Sequence, residues 1–142
     1  DNAEITLELN PGTIGEEKVK IYEKAGINRF SVGLQTAIDS QLEDIGRIHN
    51  VHDYVYATKL LKGKNFSTDV MLGLKNQTKA DIKKTIELAA ACGSSHISTA
   101  NCPIPTKWRI CTITGGIFWT HSAIAVTKFR ISQNRDSKAA TI

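Results

Sequence analysis

The sequence predicts an α/β fold in which four strands alternate with helices around a parallel sheet. Short segments rich in β-branched residues alternate with segments whose apolar residues recur at helical spacing. Each predicted helix has start and stop signals, among them Asn50, Thr78, Gly26, Gly63 and Gly93. Strands that alternate with helices are joined by right-handed crossovers, so the strands are expected to run parallel.

The first two strands are predicted at residues 4–9 and 28–33. Residues 4–9 alternate polar and apolar side chains, which is typical of a half-buried strand. Between the strands, Thr13 and Glu16 have the spacing of a capping box and predict the start of a helix. Gln35 follows the second strand just beyond its predicted end.

The remaining elements continue the alternation. Asp39 or Ser40 is predicted to cap a short helix, and Asn50 a longer one at residues 51–62. The third strand is predicted at residues 67–73. A helix that starts at Thr78 and a fourth strand at residues 96–99 follow.

The composition changes near residue 101. The chain has a net charge of +4, but residues 1–100 carry 12 basic and 13 acidic side chains. The last 42 residues carry 6 basic side chains, Asp136 as their sole acid, and both tryptophans. We therefore expect residues 1–100 to form the folded part, with no nucleic-acid partner. Residues 101–142 are expected to be an irregular basic tail, β-rich at residues 112–126 and disordered over about the last dozen residues.

Cysteine and histidine spacings predict no metal site. Cys92, Cys102 and Cys111 are odd in number and fit neither a zinc nor an iron–sulfur pattern. His49 and His52 are near enough to share a helix face, but no third ligand accompanies them. The chain has no apolar run of transmembrane length, and we expect a cytoplasmic protein with reduced thiols.

Polar residues collect where the predicted strands end, which is where α/β folds place their chemistry. They are Glu8, Asn10, Gln35, Asp69, Thr99 and Asn101, with Arg47 from the connecting segment. An arginine can clamp a carboxylate, and an aspartate can accept hydrogen bonds from ribose hydroxyls. Alternatively, Glu8 is a solvated strand end and Arg47 is a charge facing a helix dipole. Asp69, within an apolar strand, needs hydrogen-bond partners and so favours function.

Four ordered blocks of the sequence resemble one family. They are EITLELNPGT at 4–13, INRFSVGLQT at 27–36, GRIH at 46–49 and DVMLGLKNQT at 69–78, and HISTA at 96–100 resembles the start of a fifth. The blocks resemble the radical S-adenosylmethionine family that contains the oxygen-independent coproporphyrinogen III oxidases and their HemW-type heme-chaperone relatives. The first and third blocks resemble the HemW-type branch more closely.

The resemblance implies a partial TIM-type barrel of four βα units that binds S-adenosylmethionine beside a 4Fe-4S cluster. Carried over to this sequence, the cofactor contacts are Glu8, Gln35, Arg47 and Asp69. It further implies heme or a porphyrinogen as ligand or substrate. In the oxidases, a 5′-deoxyadenosyl radical starts decarboxylation of porphyrinogen propionates; the HemW-type proteins bind and deliver heme.

The sequence departs from the family pattern in three places. It contains no Cys-x-x-x-Cys-x-x-Cys motif to hold the cluster, so the chain alone is expected to be a catalytically inactive fragment. Lys75 stands where the family usually has proline. The tail does not continue the pattern, and we hypothesise a frameshifted segment, which translation of the gene in its other frames tests.

Two alternatives to the radical enzyme remain from the sequence. One is a non-enzymatic module that binds and delivers heme. The other is a fragment of an unrelated (βα) barrel enzyme, or a degraded reading frame that does not fold stably because half a barrel leaves edge strands unpaired.

Overall fold

Strands and helices alternate along the chain as the sequence predicts. The computed structural model describes residues 3–101 and 126–130. In chain order the elements are β1 (Thr6–Leu9), a 3-10 helix (Pro11–Thr13), α1 (Glu16–Lys24), β2 (Arg29–Gln35), α2 (Asp39–Asp44), α3 (Val51–Leu60), β3 (Phe66–Leu72), α4 (Lys79–Ala91), β4 (His96–Asn101) and β5 (Val126–Arg130).

The strands lie side by side in chain order, from β1 to β5. Strands β1 to β4 pair in parallel, which confirms the predicted α/β fold. Strand β5 pairs antiparallel with β4 and was not predicted. Of the predicted β-rich segment at 112–126, only Val126 belongs to the described residues, and the disorder predicted for the last dozen residues lies outside them.

The register places polar residues of neighbouring strands on one face of the sheet. Glu8 pairs with Ser31, Gly33 with Asp69, and Asp69 with Ser98. Successive side chains of a strand point to opposite faces, so these five residues share one face. We call this face, defined by these residues, the polar face.

The opposite face of the sheet carries the hydrophobic core. Its strand residues include Leu9, Val32 and Val70, which pack with Val19 of α1 and Ala57 of α3. The helices therefore cover one side of the sheet and leave the polar face on the other. This arrangement is expected because right-handed crossovers between strands that lie in chain order place their helices on the same face of the sheet.

Two helix starts differ from the prediction, and two agree with it. Asn50 and Thr78 form capping boxes at the starts of α3 and α4, as predicted. Thr13 does not cap α1: it belongs to the 3-10 helix that Pro11 starts, and its hydroxyl donates to the Asn10 carbonyl. Neither Asp39 nor Ser40 caps α2: both lie within the helix, and Asp39 Oδ1 accepts a hydrogen bond from the Val51 N–H.

Strand β2 extends two residues beyond its predicted end at residue 33. Its pairing with β3 shifts between Gly33 and Gln35, where an irregularity lets the strand continue. Gln35 is therefore the last residue of the strand and not the first residue of a loop. The prediction missed this because the irregularity depends on pairing with β3, which is distant in sequence.

Candidate functional site

Asp69 is the centre of the candidate site. It lies in the middle of β3, inside a strand as predicted, although the sequence also grouped it with the residues at the strand ends. Its Oδ2 accepts a hydrogen bond from the Ser31 hydroxyl at 2.7 Å, and Ser98 provides a second side-chain hydrogen bond. Burial raises the pKa of Asp69, and these two hydroxyls, together with Arg29 and His96, oppose the increase. Asp69 is thus a partly desolvated carboxylate held by its neighbours in the sheet.

Glu8 and Arg47 lie within the electrostatic reach of Asp69. Burial, followed by the charge of Asp69, raises the pKa of Glu8. Burial lowers the pKa of the Arg47 guanidinium, and the charge of Asp69 opposes that change. Two carboxylates and one guanidinium therefore share a partly buried region, where charges interact more strongly than in water.

Arg47 lies in the segment between α2 and α3. Gly46 precedes it with φ of +71°, and the Arg47 N–H donates to the Leu42 carbonyl at 2.9 Å. The backbone thus turns back towards the end of α2 at Gly46 and Arg47. The interaction with Asp69 means that the α2 dipole is not the sole partner of this charge.

Gln35 has an unusual conformation at the end of β2. Its φ is +67°, a left-handed value that few residues other than glycine adopt. The side chain is buried, and its Oε1 has no hydrogen-bond partner in the described part of the chain. A buried acceptor without a partner is destabilising, and a donor from another group would remove that cost.

Gly33 makes room for the Gln35 amide. A β-carbon at residue 33 would lie 2.8 Å from Gln35 Nε2, closer than real atoms approach. The Gln35 side chain therefore folds back over Gly33 onto the polar face. Gly33 pairs with Asp69 on the neighbouring strand, so the amide lies on the same side of the sheet as that carboxylate. All four predicted residues, Glu8, Gln35, Arg47 and Asp69, therefore belong to one region of the molecule.

His49 is a polar residue whose burial the sequence did not reveal. Its side chain is 3% exposed, and neither ring nitrogen has a hydrogen-bond partner within residues 3–101. Burial lowers the pKa of His49, although the backbone of Leu34, which lies nearby, opposes this. The ring lies close to the strand end that carries Gln35.

The other predicted strand-end residues have different roles or lie outside what is described. Asn10 accepts a hydrogen bond from the Gly12 N–H and caps the 3-10 helix. Thr99 is buried in β4. The side chain of Asn101 is outside the description. Sequence reasoning missed Gly33 and Ser31, although a glycine inside a strand signals close approach of another group.

Metal ligands do not cluster in the part of the chain that the structure describes. No group of three or more His, Cys, Asp or Glu side chains there has the arrangement to hold an ion. His52, which the sequence paired with His49, is exposed on α3. Cys102 and Cys111 lie outside the described residues.

Comparison with known proteins identifies the family. The radical SAM superfamily matches residues 1–89, more than half of the chain. The chain belongs to the radical SAM superfamily. The predicted resemblance is thereby confirmed, and the alternative of an unrelated barrel enzyme is wrong. The cofactors of this family are S-adenosylmethionine and a 4Fe-4S cluster.

Two similar relatives are heme chaperones named HemW. The protein of Haemophilus influenzae is 44% identical over 101 residues, which cover 69% of this chain and 26% of that protein. The protein of Synechocystis is 41% identical over 100 residues, which cover 68% of this chain and 24% of that protein. The chain therefore spans about a quarter of the length of the curated relatives it matches.

A solved structure shows the same fold. Coproporphyrinogen III oxidase (HemN) from Escherichia coli, a radical SAM enzyme, superposes with a TM-score of 0.64 at 21% identity. The superposition covers 70% of this chain and 24% of that one. The prediction of a partial radical SAM barrel is confirmed. No helix in the described residues of this superfamily member is long and apolar enough to cross a membrane.

Proposed function

We propose that residues 1–100 form part of the S-adenosylmethionine site of a radical SAM protein of heme metabolism. The observation that carries this proposal is the shared region of Glu8, Gln35, Arg47 and Asp69, in which Gln35 Oε1 lacks a partner among the described residues. The ligand must offer cationic groups to the carboxylates, a carboxylate to Arg47 and a donor to Gln35. S-adenosylmethionine has a sulfonium, an amine, a carboxylate and ribose hydroxyls, and satisfies each requirement.

Each residue has a role that follows from its chemistry. The Arg47 guanidinium binds the carboxylate of the methionine moiety, since guanidinium and carboxylate form paired hydrogen bonds. Asp69 and Glu8 accept hydrogen bonds from amine or hydroxyl groups, and a cationic ligand favours their ionised forms. Gln35 accepts a further hydrogen bond through Oε1. When bound, S-adenosylmethionine supplies this family with a 5′-deoxyadenosyl radical.

Binding of S-adenosylmethionine to the 142-residue chain tests the proposal. We expect saturable shifts of backbone amide resonances that centre on Gly33 and Gln35. Asp69→Asn should weaken binding about tenfold, because it removes a charge-assisted hydrogen bond. Glu87→Gln is the matched control, since Glu87 lies on α4 and pairs with Lys83. Absence of binding, or equal weakening by both variants, would overturn the assignment.

The similarity to HemW proteins supports heme as the ligand of the whole protein, in the role of a chaperone. The relatives at 44% and 41% identity are heme chaperones, whereas the likeness to the oxidase, at 21% identity, supports the fold alone. We expect the full-length gene product to shift the heme Soret band with or without a reconstituted cluster. Decarboxylation of coproporphyrinogen by that product would instead establish the oxidase.

We further propose that residues 1–100 form the radical SAM part of the chain, that residues 101–142 are an atypical basic tail whose residues 126–130 pair with β4, and that the protein is cytoplasmic. The family match over residues 1–89 lies within the first of these parts and supports this division. Limited proteolysis should cleave first after residue 101 and leave a stable fragment. Early cleavage within residues 3–100 would contradict this boundary.

A further inference from the structure

The turn that carries Gln35 requires support from outside itself. The Thr36 N–H donates to the Leu34 carbonyl at 2.9 Å, which closes a three-residue turn with Gln35 at its centre. A residue other than glycine at φ +67° is disfavoured by sterics and persists where its surroundings hold it. Helix α2, which follows, has six residues and no side-chain cap, so it does not define a position by itself.

A buried hydrogen-bond bridge connects this turn to α4. The Thr36 hydroxyl donates to Gln41 Oε1 at 2.8 Å, and Gln41 Nε2 donates to Asp81 Oδ2 at 3.2 Å. Thr36 is fully buried and Gln41 is 6% exposed. Both ends of the Gln41 amide are thus used, and a buried amide with both ends satisfied fixes the separation of its partners.

A second bridge runs parallel to the first. The Ala37 N–H donates to Thr85 Oγ1 at 3.0 Å, and the Thr85 hydroxyl donates to the Asp81 carbonyl at 2.7 Å. Asp81 Oδ2 also accepts from the Thr78 N–H at 2.8 Å, as part of the capping box of α4. Asp81 therefore joins the start of α4 to the turn after β2 through its side chain and its backbone.

We propose that Thr36 and Gln41 are positioning residues for the S-adenosylmethionine site. Their bridge to Asp81 holds the turn after β2, so that Gln35 keeps its left-handed conformation and its Oε1 stays available to the ligand. The inference rests on the function proposed above. Neither residue carries charge and neither is needed for contact with the ligand. Both act through Gln35, and α4 is the rigid element against which the turn is held.

Isosteric variants of Thr36 separate positioning from packing. Thr36→Val keeps the shape of the side chain and removes the hydroxyl, whereas Thr36→Ser keeps the hydroxyl. We expect Thr36→Val to raise the dissociation constant for S-adenosylmethionine about fivefold or more. Thr36→Ser should restore binding to near the wild-type value. Amide resonances of Gln35 in the ligand-free 142-residue chain should move in Thr36→Val and return in Thr36→Ser.

Gln41→Leu completes a double-mutant cycle. If Thr36 and Gln41 act through one bridge, the variant with both changes should bind no more weakly than the weaker single variant. Ser95→Ala is the matched control: its hydroxyl bonds Asn65 and the Phe66 carbonyl at the opposite end of the sheet. This control should lose stability without changing either the dissociation constant or the Gln35 resonances.

The outcomes distinguish the two proposals. A wild-type chain that fails to bind S-adenosylmethionine overturns the proposed function, while the Gln35 resonances still report whether the bridge holds the turn. Wild-type binding with unchanged Gln35 resonances and affinity in Thr36→Val overturns the positioning role. Equal losses of affinity in Thr36→Val and Ser95→Ala would also overturn it, because they would reflect general destabilisation.

Discussion

Gln35 Nε2 occupies the space that a β-carbon on Gly33 would need, at 2.8 Å from the ideal position of that atom. The Gln35 amide thus fills the space left by the absence of a side chain at Gly33, two residues earlier in the same strand. Gly33 pairs with Asp69 on the neighbouring strand β3, so this contact places the Gln35 amide near the central carboxylate of the site.

Gly33→Ala should therefore reduce binding of S-adenosylmethionine more than it reduces stability. The added methyl group displaces the flexible end of Gln35, which costs the fold little, and alanine restricts the unfolded chain more than glycine does. We expect the free energy of unfolding to change by less than about 1 kcal/mol and binding to weaken several-fold. Gly15→Ala is the control, because its added β-carbon would have no atom within 4 Å in the described chain beyond its own residue and its two chain neighbours.

Asp69→Asn should stabilise the ligand-free chain at neutral pH while it weakens binding. The pKa of Asp69 is raised in the fold above its ordinary value of 3.8, so the folded state binds the proton more readily than the unfolded state. Stability from this group is therefore present below pH 3.8 and is lost as pH rises through the folded pKa. The difference in Tm between variant and wild type should be positive at pH 7 and shrink towards pH 4. A variant that is less stable at pH 7 would contradict this.

His49→Gln should reduce the loss of stability on acidification. The pKa of His49 is lowered in the fold from 6.5, chiefly by burial, so the unfolded chain takes up a proton more readily. Its stability is present above pH 6.5 and is lost as pH falls through the folded pKa. The charged groups that act on it are Arg47, Asp39 and Asp53. Between pH 7.5 and pH 5 the wild-type Tm should fall further than that of the variant, and parallel curves would refute this.

Tyr54 and Thr68 form a buried pair whose members should compensate each other. Tyr54 OH and Thr68 Oγ1 lie 2.7 Å apart, and both side chains are fully buried. Tyr54→Phe leaves the threonine hydroxyl without a partner and should cost about 1–3 kcal/mol. Adding Thr68→Val should recover much of that loss, because no buried group is then left unsatisfied. Additive losses in denaturant unfolding would show that the two hydroxyls act independently.

Local signals explain which parts of the fold were predictable. The capping residues Asn50 and Thr78 act on backbone groups within three residues, so the sequence contains all the atoms of the interaction. Asp39, like Asn50, has a side-chain oxygen that can cap a helix. Its carboxylate instead accepts a hydrogen bond from the N–H of Val51, twelve residues away. No local rule distinguishes the two cases, because the choice depends on how α2 and α3 meet.

The sequence by itself determined the alternation of strands and helices and the family, and it predicted Glu8, Gln35, Arg47 and Asp69 as the site. The alternation follows from periodicity and caps, and the family follows from the resemblance of short blocks of residues; all are local properties of the chain. Only the tertiary structure decided that the Ser31 hydroxyl donates to Asp69, that the Gln35 amide folds over Gly33, and that Gln41 donates to Asp81. Each of these depends on strand register or helix packing, which bring together residues that are distant in sequence.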